Sequence, residues 1–309
     1  MPSGFDCPSF SSRAVRRFLS SAMSKLTQRL FPLIALPILL LLGAAEPKRQ
    51  PSLLVYDFNL DMGPQANIDR VDAIGFDGIV TRVGSLRDVQ KLEKYAAHAG
   101  ALEDFDLLAF VPYDFADPDS PEVWRRALPV LADVGAPLWV IVRRAPSESA
   151  IRELLVEMAE ASEDAGIETV LYPHWNTDIE SAAEATDWIR RIGHPNLKNS
   201  LHTCHEIRSG NQNALPAVVE EHAELSALVT IAGADVHAYA GPPISGVTWS
   251  DAIKPLDRDA FSLQPFLQEL RDSGYDGPVI LHTFGITGAP GHLQRSLRRY
   301  DEYWGQIAP

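Results

Sequence analysis

Eight short apolar runs recur along this 309-residue chain, each ending at or beside a polar residue: Leu53 to Phe58, Gly78 to Arg82, Leu107 to Tyr113, Leu138 to Arg143, Thr169 to His174, Leu197 to His202, Leu228 to Asp235 and Val279 to His282. Measured at Asp57, Arg82, Tyr113, Arg143, His174, His202, Asp235 and His282, the first six steps are 25 to 33 residues and the last is 47. Apolar runs alternating with longer amphipathic stretches build a parallel sheet covered by helices. Eight at a near-constant step suit a (β/α)8 TIM barrel of roughly 250 residues. A doubly wound open sheet shares the alternation, but it normally carries a Gly-rich first turn, and here that turn reads Asn59-Leu60-Asp61-Met62-Gly63.

The stretches between the runs carry helix signals. From Ser147 to Gly166 the apolar positions Ile151, Leu154, Leu155, Met158, Ala161 and Ala165 recur at helical spacing, with Gly166 placed for a C-terminal cap. Ser120-Pro121 reads as an N-cap followed by Pro for the third helix, and Thr177 to Glu180 as a capping box for the fifth. The 47-residue step holds Ala238 to Gly246, too rich in Gly and Pro for a helix and long enough for a lid over the C-terminal face.

Residues 1–45 read as a separate leader, leaving 46–309 for a single barrel domain. Scattered basic residues precede the 13-residue apolar run Leu30 to Leu42, then Gly43-Ala44-Ala45 and polar Glu46. That order describes a secretory signal peptide, with Met23 as an alternative start, and predicts export to the periplasm or extracellular space. The run is shorter than the roughly 20 residues of a spanning helix, so no stable membrane span is expected after cleavage. Without the leader, 27 Lys and Arg against 41 Asp and Glu become 22 against 40. An acidic balance of that size argues against a nucleic-acid partner, whose phosphates need clustered cations. Cys7 falls in the leader, so Cys204 is alone in the remainder and no intrachain disulfide is expected.

A barrel builds its active site where the strands end, and histidine is enriched there. His174, His202 and His282 terminate the fifth, sixth and eighth runs, and His205 follows His202 by three. Residues three apart on a strand point to opposite faces, so His202 and His205 converge only if the chain turns directly after Thr203. Four imidazoles at one mouth suit a divalent ion, with Zn²⁺, Mn²⁺ or Co²⁺ the choices for nitrogen-rich ligation; each alone also reads as a hydrogen-bonding or substrate-contacting residue. Arg82 and Arg143 point positive charge at the same mouth, where they either clamp substrate oxygens or neutralise Asp57, Asp114 and Asp235. Trp175 offers a sugar ring an apolar face or caps the barrel as packing. His98, His194 and His222 read as solvated on helices or helix ends, and His237 and His292 as loop residues near the face.

Leu171-Tyr172-Pro173-His174, Asn196 to His205, Ile253-Lys254-Pro255-Leu256 with Phe261, Gly274-Tyr275-Asp276-Gly277-Pro278 and the early Gly75 to Ile79 together resemble the xylose-isomerase-like barrels of the sugar phosphate isomerase/epimerase superfamily. The resemblance implies a metal-dependent isomerase or epimerase acting on a small carbohydrate or sugar-derived metabolite. It also implies a metal held by a carboxylate ending strand five, an Asp ending strand six, a His three residues later and a Glu ending strand eight. Those places carry His174 (or its neighbour Tyr172), His202, His205 and His282, so only His205 matches. The expected metal set is therefore His174, His202, His205 and His282, with His174, His202 and His282 as acid/base residues and Arg82, Arg143, Trp175, Asp235 and Lys254 around the substrate. An ion ringed by neutral imidazoles keeps its full charge and acidifies a bound water more strongly. That points to one alternative, a lyase or hydrolase of a modified sugar using metal-activated water; a third reading is that catalysis has been lost with the carboxylates and a carbohydrate-binding barrel remains.

Overall fold

The computed structural model describes residues 50–236, 246–258, 260–288 and 290–307. The leader and the centre of the lid candidate, His237 included, lie outside them. All eight expected strands form: β1 (Leu53–Tyr56), β2 (Gly78–Arg82), β3 (Asp106–Asp114), β4 (Leu138–Arg143), β5 (Thr169–Leu171), β6 (Leu197–His202), β7 (Ser226–Ile231) and β8 (Val279–Leu281). They pair in sequence order, every described pair parallel, and β8 closes on β1 with Leu53 opposite Val279. Helices α1 (Pro64–Ile74), α2 (Leu86–Ala99), α3 (Ser120–Val134), α4 (Glu148–Asp164), α5 (Ala182–Ile192), α6 (Thr203–Arg208), α7 (Leu215–His222), α8 (Trp249–Ala252), α9 (Gln264–Asp272) and α10 (Gly291–Gln306) fill the crossovers and the end of the chain. The domain is thus a closed (β/α)8 barrel, as the strand spacing predicts.

Strands covered by helices outside and side chains inside have no solvent face, which is why they read as unbroken apolar runs rather than alternating ones. Leu53 to Tyr56 and Gly78 to Thr81 are buried at every position. The helices contribute one stripe each: α2 buries Val89, Leu92, Tyr95 and Ala99, and α4 buries Ile151, Leu154, Leu155 and Met158, the positions its periodicity marks. Backbone packing is close where β2 starts against β3. A Cβ on Gly78 would stand 2.3 Å from the Asp106 carbonyl oxygen, so this position admits only glycine.

Several boundaries differ from the sequence reading. β5 stops at Leu171 because Pro173 has no N–H for the ladder, and the His174 N–H instead closes a turn onto the Ile179 carbonyl at 2.9 Å. Ser120 does not cap α3. Its Oγ accepts from the Asp114 N–H, and Asp119 takes the cap position without a side-chain bond. Thr177 does not cap α5 either, since its hydroxyl turns to the His174 and Ile179 carbonyls while Ser181 accepts from the Glu184 N–H. Ser147 caps α4 as expected, accepting from the Ala150 N–H.

Candidate active site

β6 passes into α6 without an intervening residue: His202 ends the strand and holds the cap position, and Thr203 opens the helix. The turn that would bring His202 and His205 together is therefore present, and their ring centres lie 5.3 Å apart. His205 stands between the others, 4.2 Å from His174 on the loop after β5 and 6.4 Å from His282 after β8. His202, His205 and His282 are buried and His174 is partly buried.

Aromatic side chains fill the barrel beneath them. Tyr172 stacks on His202 at 3.9 Å, Trp139 stacks on Tyr172 at 4.6 Å, and Tyr56 lies 4.7 Å from His282. The Tyr56 hydroxyl donates to that of Tyr172 at 3.2 Å. Burial holds both phenols above their ordinary range, so they stay protonated. Burial acts on the imidazoles in the opposite sense: His174 falls to about 4 and His282 to about 3, while His202 and His205 lie well below the ordinary value. All four are neutral at pH 7.

Hydrogen bonds then fix which nitrogen of each ring carries the proton. His205 Nδ1 accepts from the Trp175 N–H at 3.2 Å, and His282 Nδ1 accepts from the Phe284 N–H at 3.3 Å. A neutral imidazole whose Nδ1 lone pair is engaged carries its proton on Nε2. His174 is reversed: its Nδ1 lies 2.9 Å from the Trp175 carbonyl, which only accepts, so the proton is on Nδ1 and Nε2 keeps a lone pair. Ser200 sets His202. Its hydroxyl proton goes to the Leu171 carbonyl at 2.7 Å and it accepts from Trp139 Nε1 at 2.9 Å, so its 2.8 Å contact with His202 Nε2 is an N–H donation from the ring. His202 Nδ1 is left as a buried lone pair with no hydrogen-bond partner among the described residues.

Cys204, His205 and His282 bring one potential ligand atom each within 4.8 Å of one another, a grouping by which a metal ion could be held. It shares two residues with the expected four-histidine set and omits His174 and His202. Ligands must offer an unprotonated lone pair, and a ligating His ordinarily donates its other N–H to a neighbour. In His205 and His282 the Nδ1 lone pair is occupied by a backbone N–H and Nε2 is protonated. As they are hydrogen-bonded, His205 and His282 present no free lone pair to an ion, and the grouping with Cys204 does not fit one.

The rim pairs its charges differently from the sequence reading. Asp57 accepts from Lys91 at 2.6 Å, Thr81 at 2.7 Å and Tyr95 at 3.0 Å, Asp114 is clasped by both arms of Arg144, and Asp235 pairs with Lys254 at 2.8 Å. Among the described residues Arg82 and Arg143 thus form no ion pair with these carboxylates, although, beside the Arg144 hydrogen bonds, the Arg143 charge helps hold the Asp114 carboxyl below its ordinary range. Arg82 folds against Gly84 with its guanidinium 3.9 Å from Asp88, and Arg143 is exposed at the end of β4. Trp175 presents one face to the Arg208 guanidinium at 3.8 Å, and Trp249 holds the same cation at 4.4 Å. Two histidines read as peripheral are buried: His222 bonds the Thr186 hydroxyl at 3.1 Å, and His292 lies in the first turn of α10 rather than in a loop.

The chain belongs to the xylose isomerase-like TIM barrel family, whose model matches residues 68–303. No curated protein matches it by sequence. Similar solved structures include 3-keto-D-glucoside 4-epimerase YcjR from E. coli, at 16% identity and TM-score 0.62 over 82% of this chain and 99% of that one. D-psicose 3-epimerase in the presence of D-fructose matches at 14% and 0.58, over 83% and 99%. An IolI protein with a zinc atom matches at 14% and 0.61, over 83% and 97%.

Sequence reasoning overlooked Cys204, Arg208, Trp249, Trp139 and Ser200. Ser200 and Trp139 carried a readable signal: Ser200 shares a strand face with His202 two residues on, and Trp139 is an aromatic residue inside an aliphatic run.

Proposed function

We propose that this protein is an enzyme of isomerase or epimerase type acting on a small carbohydrate, with His174, His202, His205 and His282 as its chemical centre. The convergence of four neutral imidazoles on the C-terminal face carries the reading. A proton beside a sugar carbonyl leaves its carbon for the His174 Nε2 lone pair, His174 being the least buried of the four. The C–H bonding pair forms a carbon–carbon double bond as the carbonyl π pair moves onto its oxygen, which the His205 and His282 N–H groups hold. Neutral imidazole N–H groups suit such an oxyanion because they polarise it without delivering the proton outright. Return of the proton to the adjacent carbon, while the His202 Nδ1 lone pair passes the hydroxyl proton from one oxygen to the other, completes isomerisation; its return from His174 to the opposite face of the same carbon, once the intermediate has turned over, completes epimerisation. No co-reactant is required. Trp175, Arg82, Arg143, Asp235 and Lys254 line the rim through which the sugar enters.

The expected Zn²⁺, Mn²⁺ or Co²⁺ would fall to Cys204, His205 and His282, and the hydrogen bonds of the two histidines oppose it. Among the described residues no helix is long and apolar enough to cross a membrane. Export is part of the proposal, resting on the basic and apolar leader. An intact mass starting near Glu46 supports it and a full-length mass refutes it. For the activity, free aldoses and ketoses are incubated with the protein in D₂O. Carbon-bound deuterium is the expected result, and its absence from every sugar turned over, or no turnover, overturns the assignment.

A further inference from the structure

The backbone of a single residue, Trp175, sets two of the four histidines in opposite senses. Its N–H occupies His205 Nδ1 and its carbonyl takes the Nδ1 proton of His174. The Phe284 N–H does for His282 what the Trp175 N–H does for His205, and the Trp139–Ser200–Leu171 chain fixes His202. The groups so created form a balanced set of two ring N–H donors, on His205 and His282, and two ring lone pairs, on His174 and His202. In a metal-ligating cluster every lone pair turns to the ion and every far N–H is held by an acceptor; His174 and His202 are set that way and His205 and His282 are set in reverse, so the cluster offers an ion two lone pairs, short of the three protein ligands of a catalytic zinc site. Inverting His205 would bring its Nδ1–H against the Trp175 N–H, two donors facing each other with neither satisfied.

We infer that this cluster is a metal-independent site whose tautomers are locked by the main chain, built to receive an uncharged hydroxy-carbonyl group: acceptor oxygens on His205 and His282, hydroxyl or C–H protons on His174 and His202. The choice of ligand rests on the isomerase reading above; the tautomers and the indifference to metal do not. Neutral donors and acceptors in equal number complement a carbonyl beside a hydroxyl, whereas an anionic substrate would find no full positive charge on any of the four rings.

Two-bond ¹H–¹⁵N spectra of the full chain labelled in histidine, assigned by His174→Gln, His202→Gln, His205→Gln and His282→Gln, report each tautomer directly. The expected pattern is Nδ1–H for His174 and Nε2–H for the other three, unchanged by ZnCl₂, MnCl₂ or CoCl₂ in several-fold excess. An Nδ1–H form of His205 or His282 overturns the inference. So does stoichiometric metal uptake by the unsubstituted protein in calorimetry with movement of those signals, a readout that stands even where a variant fails to fold. If the tautomers are as stated and no sugar exchanges deuterium, the isomerase reading fails and the locked, metal-free cluster stands.

Discussion

Lowering the pH from 7.5 to 5 is expected to destabilise the barrel through His282, by an amount that follows from its environment. The ring is 5% exposed and burial brings it to about 3, against an ordinary value near 6.5 for an unfolded histidine. Because the folded value is the lower one, the unfolded chain takes up the proton first. The stabilising effect is whole above about pH 6.5 and is lost progressively as the pH falls toward 3. Integrating the difference in bound protons, His282 alone removes about 2 kcal/mol between pH 7.5 and pH 5. The comparison variant is His282→Gln, which cannot titrate but keeps an oxygen to accept the Phe284 N–H. Urea unfolding of both proteins at pH 7.5 and pH 5 gives the two losses. The parent should lose about 2 kcal/mol more than the variant. Equal losses would refute the argument, since they would mean that the ring takes up its proton in the folded protein as easily as in the unfolded one.

Ser200→Ala leaves the Trp139 Nε1–H and the His202 Nε2–H without their acceptor, and should cost about 1–3 kcal/mol by chemical denaturation. Gly78→Ala drives a methyl group into the Asp106 carbonyl; a loss of about 1–3 kcal/mol is expected, and unchanged stability would mean that β2 and β3 separate freely. His174→Gln should lower kcat on the exchanging sugar by about 10²–10⁴ while the melting temperature moves little. Native protein should leave Cys204 unmodified by iodoacetamide at pH 8, because the thiol is buried and pushed up to about 12; rapid labelling without unfolding would contradict that environment.

The barrel was legible because its strands are buried on both faces, so each appears as an apolar run whose spacing measures the crossover. The ends of the runs were less legible. Pro173 halts β5, yet the sequence pattern carried it on to His174, since a missing donor matters only where a neighbouring strand would have used it. Ser120 and Thr177 have the right chemistry for caps, and each had a nearer backbone partner that only the folded loops bring within reach. The four histidines were readable as strand-end residues, whereas their protonation pattern was not, because it depends on peptide groups rather than side chains. The rim shows the same limit. Arg143 ends β4, but it is Arg144, turned by a left-handed backbone at φ 56°, that reaches Asp114.

The direct passage from β6 into α6 ties the site to chain length. With no loop to absorb a change, one residue inserted between Thr203 and Cys204 would rotate His205 by about 100° around the helix axis, away from His174 and His282 and off the Trp175 N–H. A duplication or deletion at that junction would abolish the centre while leaving the barrel intact, so this short stretch can diverge only by substitution.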